Sequence, residues 1–364
     1  MSILPESVRR LPLGMLCVLI AIVLFGLATL YSAAGGKMSP WASSQGIRFV
    51  LLFCMMIFLS RIPVSRWMAA AYPFYVIALA LLLIVELFGK IGMGAQRWID
   101  LGFIRLQPSE FMKIAVVLSL ARYFHRLPPA YVSTTSALIA PALMVGLPAA
   151  LVMLQPDLGT ALMITMAGLL IMFMGGLPLR WFMGGGIAVL AAAPLAWSLL
   201  HDYQKRRVLV FMDPESDPLG SGYHITQSKI AVGSGGVFGK GFLNGSQSHL
   251  DYLPESHTDF IFSTMAEEWG MAGGLILLAA YAYQIRWGAK LGAGGAMEFT
   301  RLTAIGLSFT LFLYVAINLS MVMGLAPVVG IPLPLMSYGG SAMMTVMILL
   351  GILMAIHRED LRKS

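Results

Sequence analysis

Apolar runs close to the length of a membrane-spanning helix recur along the whole chain. A helix needs about 20 residues to cross about 30 Å of hydrocarbon. Hydrophobic residues make up 58% of the 364 residues and charged residues only 11%. Such a chain has too little polar surface to cover a soluble globule. These features predict an all-α polytopic membrane protein that forms a single domain over residues 1–364.

We predict about ten transmembrane helices from the positions of the apolar runs. The predicted spans are 11–34, 46–62, 69–88, 109–125, 135–154, 159–176, 179–200, 259–284, 302–323 and 341–357. An even number of spans places both termini on one side of the membrane. The short loops and ends on that side carry more Lys and Arg, so both termini are expected in the cytoplasm.

One long loop, about 201–258, joins the seventh and eighth predicted spans on the outer side. Loops of this length are usually functional or disordered. The segment is polar and rich in glycine, but it also contains apolar residues such as Tyr223, Ile225 and Phe238. Because these residues can be buried, we expect the loop to fold back over the outer face of the membrane domain.

Ionisable residues inside or near membrane spans are costly to desolvate, so each one is a functional hypothesis. Glu110 and Lys113 lie at the outer start of the fourth span with a spacing of three residues. That spacing places both side chains on one face of a helix. The two residues are predicted to form an ion pair, which serves either the substrate or only the structure.

Two aspartates lie at the outer ends of spans, where each has a structural alternative to a functional role. Asp157 precedes the sixth span and is placed to cap its first turn. Asp259 opens the eighth predicted span, and Ser256 three residues earlier completes a possible capping box. Capping and chemistry both remain open for these residues on local pattern alone.

Several function classes are not supported by the sequence. Zinc signatures, Walker loops, nucleophile elbows and dinucleotide-binding fingerprints do not occur at the required spacing. The net charge of +7 comes from Lys and Arg that lie singly or in pairs between apolar spans. A nucleic-acid-binding surface would concentrate them in one stripe, so no nucleic acid partner is expected.

Five polar motifs occur in order at the predicted outer ends of the spans. They are Gly94–Asp100, Gln107–Glu110, Gln155–Thr160, Pro254–Phe260 and Pro332–Ser341. Together they resemble the SEDS family, and the resemblance extends over nearly the whole chain. Within that family, residues 94–98 and 327–334 are similar to the RodA branch, which acts in elongation, rather than to the FtsW branch, which acts in division.

The resemblance implies a peptidoglycan glycosyltransferase that polymerises lipid II at the outer face of the bacterial inner membrane. It also implies a class B penicillin-binding protein as the transpeptidase partner, together with other membrane proteins of the elongation complex. Asp259 matches the family's essential aspartate, and Glu110 and Lys113 match its charged pair. The family's basic residues for the lipid substrate match Arg48, Arg97 and Arg105.

The chemistry that such an enzyme needs can be assigned to these residues. Lipid II is α-linked to a diphosphate and the product is β-linked, so one displacement with inversion is sufficient. Asp259 is the predicted general base for the acceptor hydroxyl. The arginines, Lys113 or a bound Mg²⁺ or Mn²⁺ would stabilise the leaving diphosphate. The metal ligands are unknown, and Asp157 is included among the expected substrate-binding residues.

Two alternatives from other classes remain on sequence alone. A lipid II flippase would use intramembrane charges along a translocation path. A structural scaffold for the cell-wall machinery would not need an outer cluster of Asp, Glu and Arg. Because nearly all candidate residues lie at the outer ends of the spans, the enzyme is the preferred hypothesis.

Overall fold

The computed structural model describes residues 11–363 except 89, 93–94, 101–104, 200–204, 206–208, 214–216, 218–219, 251 and 253–254. Within these residues the ten predicted spans each correspond to a long helix. The first seven are α1 Leu13–Ala33, α2 Trp41–Leu59, α3 Val64–Phe88, α4 Pro108–Arg126, α5 Thr135–Leu154, α6 Leu158–Met174 and α7 Leu179–Leu199. The outer loop contributes α8 Ser221–Ser234 and α9 Ser246–His249, and the last three long helices are α10 Ile261–Gly294, α11 Glu298–Val322 and α12 Gly340–Lys363.

Six of these helices, α1, α2, α3, α5, α11 and α12, are long and apolar enough to cross a membrane. Helices α6 and α7 are apolar but shorter. Helix α4 lies at the centre of the bundle, where it packs against α3, α6 and α11 and is buried along almost its whole length. The predicted class, an all-α polytopic membrane fold, is confirmed.

Several predicted helix ends differ from the observed ones. Helices α2 and α3 each begin five residues earlier than predicted, at Trp41 and Val64, and α10 continues to Gly294 rather than ending near 284. Apolar composition marks the part of a helix that lies in hydrocarbon, whereas backbone hydrogen bonding continues into water. Polar helix ends such as the turn containing Arg286 and Lys290 are therefore missed by hydropathy.

A small antiparallel sheet joins α3 to α4 and was not predicted. Its strands are β1 Lys90–Gly92, β2 Ala95–Asp100 and β3 Arg105–Leu106, in the order β1-β2-β3. Gly92 pairs with Ala95 between β1 and β2, and Ile99 pairs with Leu106 between β2 and β3. The sheet carries Arg97 on its central strand.

The described parts of the outer loop pack onto the bundle, as expected. Helix α8 lies against α10 and α11, and the Ser228 hydroxyl is 2.8 Å from the Ser263 hydroxyl. The same hydroxyl donates to the carbonyl of Val322 at 2.6 Å. This buried hydrogen bonding attaches α8 to both helices.

Helix α10 is interrupted at Gly270, and the outer loop fills the interruption. Gly270 has φ 64° and ψ −163°, a conformation that is essentially restricted to glycine. The backbone of residues 236–241 replaces the lost helical hydrogen bonds, because Lys240 N donates to the Glu267 carbonyl and Met271 N donates to the Gly236 carbonyl. The buried Glu267 carboxylate also accepts from the Lys240 ammonium at 2.6 Å.

Candidate active site

The turn that precedes α10 carries Asp259. The side-chain amide of Asn318 donates to the Asp259 carbonyl at 2.8 Å and to the Ile331 carbonyl at 2.7 Å. This amide ties the turn to the segment before α12. Gly330 has a φ of 69°, and a Cβ atom at that position would lie 3.3 Å from the Asp259 carboxylate. The aspartate is thus held between α10, α11 and the 330–337 segment.

The capping interpretation of Asp259 is wrong. Helix α10 begins at Ile261 rather than at 259, and its N-cap residue Phe260 makes no side-chain capping bond. The Ser256 hydroxyl lies 3.2 Å from Nδ1 of His257 and does not reach the helix. Local sequence suggested a capping box because Ser and Asp have the right spacing, but the turn at 255–260 delays the helix by two residues.

The surroundings of Asp259 favour its protonated form. The pKa of Asp259 is raised to about 7, first by burial and then by the negative charges of Glu255 and Asp157, while Arg97 opposes the shift. A carboxyl group with a pKa near neutrality is matched to proton transfer at physiological pH. Perturbed carboxyl groups of this kind are concentrated at functional sites.

Arg97 and Asp157 are brought together at the α5–α6 connection. Arg97 Nε donates to the Gln155 carbonyl at 3.0 Å, and a terminal nitrogen of the same guanidinium donates to the Pro156 carbonyl. Asp157 accepts from the backbone of Thr160 at 3.2 Å, so the predicted capping role is confirmed. The side-chain amide of Gln107 donates to the second carboxylate oxygen of Asp157 at 3.1 Å. Contact of Arg97 or Asp157 with substrate stays a prediction.

Arg48 reaches the same region from α2. Its guanidinium carbon is 4.5 Å from the centre of the Tyr338 ring. The Tyr338 amide donates to the His257 carbonyl at 2.9 Å, and Trp41 stacks on the His257 ring with centroids 4.6 Å apart. Arg48 is therefore linked to the Asp259 turn through Tyr338. Arg105 pairs with Asp100 in the sheet, but its side chain lies outside the described part of the structure.

Glu110 and Lys113 form the predicted ion pair, with 2.7 Å between Lys113 Nζ and Glu110 Oε1. Both side chains are buried in the bundle. The Tyr314 hydroxyl donates to the other Glu110 oxygen, and Lys113 Nζ lies 4.1 Å above the Tyr314 ring. The pair thus joins α4 to α11. These contacts favour the structural role, and contact with substrate stays a prediction.

Sequence reasoning missed two residues that interact with the 255–260 turn or lie in it. The negative charge of Glu255 raises the pKa of Asp259, and the Glu255 carboxylate accepts a hydrogen bond from Thr258 at 2.5 Å. The His224 ring stacks on Phe260 with centroids 6.0 Å apart, and burial lowers the pKa of His224. The motif Pro254–Phe260 contains Glu255, but only the turn shows that its charge acts on Asp259.

The described residues contain no cluster of three or more His, Cys, Asp or Glu side chains placed to hold a metal ion. Asp259, Glu255 and Asp157 interact through their charges but do not form a closed ligand set. A divalent cation at Asp259 would take its remaining oxygen ligands from a substrate diphosphate. The expected Mg²⁺ or Mn²⁺ therefore stays a prediction.

The chain is similar to known proteins along nearly its whole length. The family model for FtsW, RodA and SpoVE, described as a cell cycle protein, matches residues 10–362. The chain belongs to the FtsW/RodA/SpoVE family. The resemblance to the SEDS family that the five motifs indicated is thereby confirmed.

Individual members of the FtsW/RodA/SpoVE family are similar to this chain over nearly its whole length. The peptidoglycan glycosyltransferase MrdB of Escherichia coli K12 is 46% identical over 357 residues, which cover 96% of this chain and 95% of MrdB. A chain from a peptidoglycan synthase complex that coordinates polymerization and crosslinking superposes with a TM-score of 0.83 at 32% identity, covering 96% of this chain and 98% of that one. The RodA of Thermus thermophilus superposes with a TM-score of 0.73 at 29% identity, covering 96% and 97%. The similarity to the RodA branch is confirmed.

Proposed function

We propose that this chain is a peptidoglycan glycosyltransferase that polymerises lipid II into β-1,4-linked glycan strands during cell-wall elongation, with Asp259 as the general base. The observation that carries the proposal is a half-buried carboxyl group with a pKa of about 7 beside Arg97. The name of the E. coli relative supports the activity.

The reaction is a single displacement at the anomeric carbon. Asp259 accepts the proton of the acceptor 4-hydroxyl group as that oxygen forms a bond to the anomeric carbon. The bond from this carbon to the diphosphate oxygen breaks, and undecaprenyl diphosphate leaves with the bonding electrons. Attack from the face opposite to the leaving group converts the α linkage into a β linkage, as in inverting glycosidases.

Cationic side chains near Asp259 are suited to the leaving diphosphate. Arg97 is close enough to lower the pKa of Asp259, and Arg48 lies on the aromatic cluster next to the same turn. Guanidinium groups match the geometry of phosphate oxygens. Arg105 is proposed to act with them, and a divalent cation would add further positive charge at the same oxygens.

The flippase alternative is not favoured by any contact among the described residues. A translocation path needs charged groups that meet the passing headgroup. Glu110 and Lys113 instead neutralise each other inside the bundle, and the Glu86 side chain is exposed near the end of α3.

The proposal is tested by polymerisation of purified lipid II. We expect the purified chain to produce glycan strands, and more of them when a class B penicillin-binding protein is co-purified with it. Such a partner would crosslink the product, and one chain that superposes on this chain comes from a peptidoglycan synthase complex that coordinates polymerization and crosslinking. Lipid II that remains unpolymerised both with and without the partner would contradict the proposal.

Polymerisation is expected to depend on pH through the ionisation of Asp259. Because the base acts when deprotonated, kcat/KM should fall about tenfold for each unit below pH 7 and level off above it. Replacing Glu255 by Gln removes a negative charge that raises the pKa of Asp259, so this acidic limb should move to lower pH. The Ser256→Ala variant is the control, and its acidic limb should stay in place. A limb that stays fixed in Glu255→Gln would exclude Asp259 as its origin.

The proposed orientation places both termini in the cytoplasm and the Asp259 turn outside. In a background without the native Cys17 and Cys54, a cysteine at the exposed Asn244 should react with an impermeant thiol reagent in intact spheroplasts. A cysteine at the exposed Lys290 should react only after permeabilisation. The opposite labelling pattern would reverse the orientation and move the site to the cytoplasm.

A further inference from the structure

A basic pocket lies at the end of the bundle opposite to Asp259. Helices α2 and α12 both begin close to Arg48 and Tyr338, and they run side by side until Gly351 meets Leu59. At 1.5 Å per residue, α2 carries the chain roughly 28 Å away from Trp41, which is close to the thickness of the hydrocarbon layer. The pocket lies beyond this point, between the α2–α3 connection and the end of α12.

The pocket has a volume of about 320 Å³, and most of the charged residues that line it are cationic. The lining includes Arg61, Arg358 and Arg362 together with Glu359, Ser60 and Ser65. Three guanidinium groups face one carboxylate, which leaves a net charge of +2. A ligand that complements this lining is therefore an anion.

Contacts between the two walls keep the pocket formed. Glu359 accepts a hydrogen bond from the backbone of Val64 at 3.3 Å, and Arg358 makes a long contact of 3.5 Å to the Arg61 carbonyl. Neither the Arg61 nor the Arg362 side chain has a hydrogen-bond or ion-pair partner among the described residues. Two guanidinium groups thus remain available to a ligand.

The chemistry of the lining is suited to a phosphate. Guanidinium groups bind phosphate oxygens in a bidentate way and are less strongly hydrated than ammonium groups. Basic pockets between membrane helices on the cytoplasmic side are typical binding sites for anionic lipid headgroups. The volume is at the small end of ligand pockets, which fits a glycerophosphate headgroup better than a nucleotide.

A stripe of exposed apolar residues on α2 leads directly to the pocket. Leu51 is 65% exposed and Phe58 is 70% exposed, and Phe58 is only three residues from Arg61. Leu51 and Phe58 are two helical turns apart on one face of α2. The Arg61 amide donates to the Phe58 carbonyl at 3.0 Å in the turn that ends the helix. Acyl chains along this stripe would thus be continuous with a headgroup at Arg61, whereas a soluble phosphate would gain nothing from it.

We propose that this pocket binds the phosphate of an anionic phospholipid, such as phosphatidylglycerol or cardiolipin, with the acyl chains along α2. Arg61, Arg358 and Arg362 bind the phosphate oxygens, and Glu359 limits the affinity. The assignment to the cytoplasmic leaflet rests on the proposed orientation, but the lipid site itself does not depend on orientation or on the glycosyltransferase activity.

The affinity can be measured by titrating the delipidated full-length protein with phosphatidylglycerol and counting bound lipids by native mass spectrometry. A basic side chain near a membrane contributes about 1 kcal/mol to binding of anionic lipid, which corresponds to about fivefold in affinity. The variant with Arg61, Arg358 and Arg362 all replaced by Gln should therefore bind phosphatidylglycerol on the order of 100-fold more weakly. Arg66→Gln, which changes an exposed arginine of the same region that does not line the pocket, should bind like wild type.

A second variant separates lost binding from lost folding. Glu359→Gln keeps an oxygen for the Val64 amide but removes the opposing charge, so it should tighten phosphatidylglycerol binding about fivefold. A misfolded protein would not bind more tightly. The proposed site would be overturned if the triple variant and Arg66→Gln lost the same affinity for phosphatidylglycerol. It would also be overturned if Glu359→Gln bound phosphatidylglycerol no more tightly than wild type.

Glycerol 3-phosphate provides the test of the ligand source. If the pocket binds a lipid, glycerol 3-phosphate should not displace phosphatidylglycerol at concentrations where vesicles of phosphatidylglycerol do. Displacement by glycerol 3-phosphate at the same concentration would assign the pocket to a soluble phosphate and overturn the lipid proposal. Vesicles of phosphatidylcholine are the control for the acyl chains, and they should not displace the bound lipid.

Discussion

Asp259→Asn is expected to reduce glycan formation from lipid II by about 10² or more, the usual scale for the loss of acid–base catalysis. Asn cannot accept a proton at neutral pH. The turn should persist, because Asn318 binds the backbone carbonyl of residue 259 rather than its side chain. We therefore expect normal thermal stability and normal binding of the proposed penicillin-binding partner, with activity measured by polymerisation of purified lipid II.

Two neighbouring variants serve as controls for Asp259→Asn. Asp157→Asn keeps the cap on α6, because Asn and Asp cap helices about equally well. Ser256→Ala removes only a contact with His257. Ser256→Ala should retain most of the activity and cost about 1 kcal/mol of stability or less. Asp157→Asn is the control for stability alone, because Asp157 is a predicted substrate-binding residue whose charge also raises the pKa of Asp259. Near wild-type rates in Asp259→Asn, or a loss that is explained by unfolding, would show that Asp259 is not the base.

Lys113→Ala is expected to destabilise the protein by about 3–5 kcal/mol, the usual effect of removing one partner of a buried ion pair. Glu110 would keep only the hydrogen bond from Tyr314 and would lose its countercharge inside the bundle. Thermal unfolding in detergent, together with the yield of folded protein, measures this effect. A Lys113→Ala protein with wild-type stability and activity would contradict every role proposed for the pair.

Paired substitutions distinguish a structural pair from a substrate contact. Glu110→Gln combined with Lys113→Met removes both charges and should recover most of the lost stability. Exchange of the two residues should restore both stability and activity if the pair only holds α4 to α11. Recovery of stability without activity in the exchanged protein would show that Lys113 contacts the substrate.

The membrane helices were predictable because each span must be apolar over about 20 consecutive residues to cross the hydrocarbon layer. Helices α1 to α7 and α10 to α12 all appear at the predicted places. Features that depend on contacts between distant segments were not predictable. The break at Gly270 is one such feature, since residue 270 resembles any helical glycine until residues 236–241 are placed beside it. The sheet that carries Arg97 is another, because its strands are too short to show a clear pattern.

The residues of the candidate site also differ in how far the sequence could predict them. Asp157 could be assigned as a cap from its neighbours, because capping acts over three residues. The ion pair of Glu110 and Lys113 follows from helical spacing alone. Asp259 was singled out by resemblance, whereas its geometry depends on Asn318 and Gly330, which lie more than 50 residues away along the chain. Its elevated pKa depends on burial that only the folded chain provides.

The interruption of α10 has a mechanical consequence for the outer loop. Residues 236–241 are hydrogen-bonded into α10, and α8 is attached to α10 and α11 through Ser228, so both move as one body with the Asp259 turn. Helix α7 is exposed over residues 183–195 and has little packing against the bundle. A movement of α7 alone would therefore leave in place the contacts that hold the Asp259 turn, since α8, α10 and α11 make those contacts.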